Sequence, residues 1–274
     1  MLEQFIKNRI IAQLPFDANE GQLELLDKLS QFIISPTPRK AFILRGYAGT
    51  GKTSIMAALV GALHDLQQRI VLLAPTGRAA KVLSKYAHVP AHTVHKYIYR
   101  QKQLGEDRFS LNENLHRNTL FIVDEASMIS GLRDNPMFGS GILLEDLVRY
   151  VYSGEGCSML LLGDNAQLPP VGSIQSPALN IDYMSGYQLD IHSHTLTQVA
   201  RQASDSSILD NATRLRPFAL GEQAMRKKCE EAMWDILSIE NDVCTVSGAE
   251  LLEALEEAYQ EVGEEETILL TRTN

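Results

Sequence analysis

The stretch GYAGTGKT (Gly46–Thr53), preceded by the apolar run AFIL (Ala41–Leu44) and followed by SIMAALVGALHDL (Ser54–Leu66), decides the fold. It predicts a strand, a glycine-rich turn and a helix in immediate succession. Glycines let successive backbone N–H groups curl around an anion, and the helix N-terminus adds partial positive charge, so this order builds a phosphate-binding P-loop. In that frame the backbone from Gly46 through Ala48, Gly49, Thr50 and Gly51 cradles the phosphates. Lys52 reaches the β- and γ-phosphates, and Thr53 offers its hydroxyl to Mg²⁺. ATP and Mg²⁺ are the expected ligands.

Three further β-type runs lie downstream: RIVLLAPT, LFIVDEA and SMLLLGD. All read as near-continuous apolar segments rather than alternating ones, the pattern of parallel strands covered on both faces. The expected fold is therefore α/β, a parallel sheet with helices on each side. Polar chemistry follows each run: the P-loop after the first, Pro75-Thr76-Gly77-Arg78 after the second, Asp124-Glu125 at the third, and Gly163-Asp164 with Gln167 after the fourth. Ligands of open α/β sheets bind at the carboxyl edge of the strands, so these groups are expected to meet there. Asp124, ending a hydrophobic strand, is placed to hold Mg²⁺, and Glu125 beside it to polarise an attacking water as general base.

Composition is that of an ordinary globule, with 274 residues, 45% hydrophobic and 22% charged, enough for one large core or two modest ones. No apolar run approaches the ~18 residues of a membrane span, and the opening helix-like segment mixes charge with apolar residues, unlike a signal peptide. A cytoplasmic protein without membrane contact is expected. Cys157, Cys229 and Cys244 form no CxxC pair, which argues against structural zinc or disulfides. Charge is divided along the chain: residues 1–118 hold 16 Lys and Arg against 9 Asp and Glu, residues 119–274 hold 9 against 25, and the resulting +7 and −16 give the net −9. A basic half permits a positive groove for nucleic acid on one face. The acidic excess gathers at Glu250–Glu266, read as the solvated face of a helix.

The strings GYAGTGKT, APTGRAAKVL, HTVHK, IVDEASM, LLGDNAQLPPVG and LTQVARQ resemble in order and content the motor motifs of superfamily-one DNA helicases, and the matching extends from about Asn19 to Gln202. The resemblance is to the RecD and Dda branch, which translocates 5′→3′. It implies a RecA-like ATP-binding motor domain over residues 19–263, after an N-terminal helix in 1–18. It implies that Gln22 reads the adenine edge, that Gln167 senses the γ-phosphate and couples it to DNA, and that Arg201 stabilises the transition state as an arginine finger. Single-stranded and duplex DNA become the expected partners. Thr76 and Gly77 would contact a DNA phosphate, Arg78 and Lys81 add charge, and His92, Thr93, His95 and Lys96 match the next DNA-contacting motif.

Residues 96–117 read as an inserted β-hairpin, which in related helicases is the pin that splits the duplex, with Phe109 or Tyr99 meeting the end base pair. The family works with two RecA-like domains. Residues 264–274, ending in TILLTRTN, resemble the first strand of the second, so a chain truncated before that domain is expected. Two other readings stay open: a P-loop ATPase acting on a non-DNA substrate, and a non-catalytic module that binds DNA or protein and keeps a relict P-loop.

Overall fold

The structure is a computed structural model, and it describes residues 1–101, 108–198, 206–219 and 242–271. Two helices open the chain, α1 (Leu2–Ala12) and α2 (Glu20–Ile34). Asn19 caps α2 by accepting from the Gln22 amide, and the Gln22 side chain accepts from the Asn19 N–H in return. This reciprocal box satisfies two of the donors that a helix start leaves orphaned.

The expected strands follow as β1 (Lys40–Gly46), β2 (Arg69–Ala74), β6 (Thr119–Val123) and β7 (Ser158–Gly163). Two strands that the sequence reading did not name join them, β3 (Ala91–Thr93) and β8 (Asp190–Leu196). All six pair in parallel, in the order β3-β2-β6-β7-β1-β8. The P-loop strand β1 and the carboxylate strand β6 thus flank β7, bringing the ends of all three together. This is the expected RecA-like α/β fold.

Side chains alternate between two cores, as the period of two requires. Phe42 and Leu44 of β1 face a cluster with Ile6, Ile10, Leu25, Leu29 and Leu59, contributed by α1, α2 and α3 (Lys52–Asp65). Ala41 and Ile43 face the opposite cluster, with Leu147 and Val151 of α6 (Leu143–Ser153) and Met184 of α7 (Ile181–Ser185). Helix α4 (Gly77–Ala87) follows β2 and packs Leu83 into the first cluster. Ile6 and Ile10 place α1 within that same core.

The hairpin is smaller than the sequence suggests. Residues 94–98 form a short helix, α5 (Val94–Ile98), because the Thr93 side chain accepts from the Lys96 N–H and starts a helical turn. Only β4 (Tyr99–Gln101) and β5 (Phe109–Leu111) pair, antiparallel, and the expected LGED turn lies outside the described residues. Tyr99 is not available as a wedge. It is buried, and its hydroxyl donates to Asp146 Oδ2 at 2.7 Å. Asp146 is itself 1% exposed, with the Ser140 N–H on the same oxygen and no partner for Oδ1 among the described residues. Tyr99→Phe is expected to lower stability by about 1–3 kcal/mol, because it takes a donor from a buried carboxylate. Chemical denaturation checks this, and an unchanged midpoint would contradict it. Phe109 is half-buried, pairs with Gln101 at the turn end of the ladder, and stacks on Phe138 at 4.7 Å between centroids, which covers one face of its ring.

Two more helices complete the described residues, α8 (Ser207–Ala219) and α9 (Leu251–Val262). No residue of α9 is buried. Residues 267–271 join neither sheet. Among the described residues no helix is long and apolar enough to cross a membrane.

Candidate functional site

The loop from Gly46 to Thr53 owes its path to three glycines. Gly49 and Gly51 take φ of 75° and 87°, a region that side chains disfavour, and a Cβ on Gly46 would come within 3.0 Å of the Lys52 side chain. The loop delivers the chain to α3, whose first position is capped by Gly51 without any side-chain acceptor. The leading N–H groups of α3 are therefore left for a ligand, the arrangement that favours an anion. Lys52 Nζ donates to the Gly46 and Tyr47 carbonyls at 2.5 and 2.9 Å, so the ammonium is held across the mouth of the loop.

A cavity of about 1140 Å³ opens there, and the residues that the sequence singles out come together on it: Lys52, Thr53, Asp124, Glu125 and Gln167 all line its wall. The donors and carboxylates of this wall fit a magnesium-bound nucleoside triphosphate. Asp124 stands just past β6, its N–H bonded to the Leu73 carbonyl of β2, and its Oδ1 accepts from the Glu125 N–H at 2.9 Å. Burial raises the Asp124 carboxyl above the ordinary value, against the pull of that hydrogen bond and of Lys52. Burial also raises Glu125, and the neighbouring charges of Asp124 and Asp164 add to it, while Lys52 and the Gln167 amide act in the opposite direction. Glu125 sits at φ 51°, a left-handed conformation unusual for a non-glycine residue and one that aims its side chain at the cavity instead of continuing the strand.

Several participants were not legible from the motifs. The Ser127 hydroxyl, buried, donates to Gln167 Oε1 at 3.4 Å and ties the loop after β6 to the loop after β7. Phe16 and Asp17 line the cavity on the α2 side, with Phe16 lying 3.6 Å from the place where a Gly51 Cβ would stand. Leu209 of α8 lies against Gly49, 2.8 Å from its missing Cβ. Gln22 also lines the cavity, but it is buried, and its Nε2 donates to the Thr50 carbonyl, so it fixes the P-loop as well as α2. Arg201 lies outside the described residues.

A second groove, of about 480 Å³, shares Thr53, Asp124, Glu125 and Gln167 with the first and runs on to Thr76, Arg78 and Tyr86 of the α4 region. Thr76 caps α4 by accepting from the Ala79 N–H, and a Cβ on Gly77 would meet nothing within 4 Å, so the helix start is open to solvent. Arg78, Lys81 and Lys96 are exposed. His92 and Thr93 lie on the edge strand β3 and are half-buried, while His95 packs against Tyr99 and Phe138 and is lowered in pKa by burial.

Comparison with known proteins places this arrangement. A family model described as an AAA domain matches residues 17–227. The chain belongs to the AAA domain family. Among curated relatives, the ATP-dependent DNA helicase dda of Enterobacteria phage T4 is 31% identical over 207 residues, covering 73% of this chain and 43% of that protein. The ATP-dependent RecD2 DNA helicase of Deinococcus radiodurans is 29% identical over 200 residues, 71% of this chain and 23% of that protein. These are relatives of the branch that the motifs resemble, and they bear out that resemblance. The chain spans less than half the length of either. A solved Pif1 helicase from Candida albicans aligns more loosely, with a TM-score of 0.46 and 21% identity over 79% of this chain and 48% of that one.

Proposed function

We propose that this AAA domain is the ATP-binding motor domain of a DNA helicase, coupling ATP hydrolysis to movement along single-stranded DNA and to duplex unwinding. The observation that carries the reading is the sharing of Glu125 and Gln167 between the phosphate cavity and the groove that leads to Thr76 and Arg78. A change at the γ-phosphate end is thereby transmitted to the side chains nearest the proposed DNA path.

In this reading Lys52 and the open N–H groups of α3 bind the β- and γ-phosphates. Thr53 and Asp124 hold Mg²⁺, which when bound supplies positive charge against the phosphate oxygens. Glu125 takes the proton from the attacking water, and Gln167, oriented by Ser127, registers whether the γ-phosphate is present. Phe16 and Gln22 flank the base, and Arg201 adds charge in the transition state. Thr76, Gly77, Arg78, Lys81, His92, Thr93 and Lys96 line the strand's path, with His95 and Phe109 packed behind it. A second RecA-like domain closing the cavity is part of the proposal, supported by the greater length of the helicase relatives.

The test is Mg²⁺-ATP hydrolysis with and without single-stranded DNA, in this chain and in a version joined to a second motor domain. Strong stimulation by DNA in the two-domain form is the expected result. Hydrolysis indifferent to DNA in that form would point to a P-loop ATPase with another substrate.

A further inference from the structure

A third cavity, of about 250 Å³, opens beside Thr76; it shares no residue with the phosphate cavity and meets the groove at Thr76 and Met128. One wall is aromatic. His95, Tyr99 and Phe138 pack against one another with centroid separations of 5.2 to 5.8 Å. The far side of this wall is braced, because Phe109 stacks on Phe138 with the rings 16° from parallel.

The opposite wall is polar and has bonding capacity to spare. Ser130 is buried, and its Oγ accepts from the Leu132 N–H, so the hydroxyl proton remains to be donated. Asn135 Oδ1 accepts from the Met137 N–H, which leaves the amide NH₂ to donate. The Asp134 carboxylate, also on the lining, makes no side-chain hydrogen bond or ion pair among the described residues. Flat apolar faces with a few donors and an acceptor at the edge are what a planar heteroaromatic ring requires.

Thr76 supplies the link, since it lines both this cavity and the groove from Glu125. Resting on the DNA reading above, we propose that the cavity bounded by His95, Tyr99, Phe138 and Ser130 takes one unstacked nucleobase of a single strand whose phosphate lies at Thr76 and Gly77. The strand would then be gripped by a base as well as by its backbone, at a point one residue away from Pro75, where β2 hands over to α4. This would give the motor a hold that does not depend on phosphate charge alone.

Photocrosslinking tests it. Twelve-nucleotide dT strands carrying a single 5-iodouracil at successive positions are bound to the chain, irradiated, and mapped by peptide mass spectrometry. Crosslinks to His95, Tyr99 or Phe138 are the expected result. Phe138→Leu, which keeps an apolar side chain but removes the flat ring, should abolish the Phe138 crosslink and weaken strand binding roughly 5- to 150-fold, the range for loss of one base–aromatic stack. Strands that bind but crosslink only elsewhere would overturn the pocket while leaving the DNA reading intact. Strands that do not bind at all would overturn both. Should Phe138→Leu fail to fold, the crosslink map of the unaltered chain decides.

Discussion

Glu125→Gln is expected to lower ATP hydrolysis by about 10²–10⁴-fold, the usual contribution of a positioned general base, while leaving nucleotide affinity close to that of the parent. The amide keeps the shape of the side chain and loses only the capacity to accept a proton as a base. Two further signatures separate this from a merely structural effect. The carboxyl of Glu125 is raised by burial and by the Asp124 and Asp164 charges, so the acid limb of the parent's pH–rate profile should fall at a pH above the ordinary carboxylate range. The stability effect has the opposite sign to the activity effect. A carboxyl whose folded pKa lies above its unfolded value costs stability as pH rises from the unfolded value through the folded one, because the fold binds the proton more tightly than the unfolded chain does. Glu125→Gln removes that penalty, and its thermal midpoint at neutral pH should equal or exceed the parent's. Undiminished turnover in the variant would remove Glu125 from the mechanism.

The parts of this site that were legible in the sequence are those written along single strands. β1, β2, β6 and β7 are buried on both faces, so each reads as an apolar run, and the residue where the run breaks marks the sheet's carboxyl edge. Asp124, Gln167 and the P-loop could be brought together on that ground alone. The strands that escaped notice are the two edges. β3 is three half-buried residues, and β8 reads Asp-Ile-His-Ser-His-Thr-Leu, with polar side chains that an edge position tolerates and an interior one does not.

Local signals also competed. Thr93 followed by Lys96 starts a helical turn, and this overrode the loose alternation of KYIYRQK over residues 96–98, while Tyr99–Gln101 form the strand β4. Asn19-x-x-Gln22 is a capping-box pattern present in the sequence, and it accounts for half of what the Gln22 side chain does. The remainder required tertiary structure. Nothing along the chain says that Ser127 will meet Gln167 across two loops, that Leu209 will rest on Gly49, or that Phe16 will lie beside Gly51, since each pair joins segments that are distant in sequence and meet only in the folded chain.

Lys52→Ala should reduce affinity for ATP roughly 10- to 150-fold, the equivalent of about 1.5–3 kcal/mol for hydrogen bonds to a charged group. The ammonium already has two carbonyl acceptors at the loop's mouth, Gly46 and Tyr47, so its reach toward a phosphate is fixed by the loop. Loss of that charge falls on the γ-phosphate end, and the preference for ATP over ADP should narrow with it. A second consequence follows from the same charge. Lys52 pulls both Asp124 and Glu125 toward ionisation, so without it both carboxyls rise further, and any residual hydrolysis should lose activity at a higher pH than in the parent. Titration of ATP and ADP into the two proteins measures the first effect, and the pH–rate profile measures the second. If Lys52→Ala bound ATP as tightly as the parent, the loop would be a relict, and the reading of this chain as a non-catalytic binding module would replace the motor.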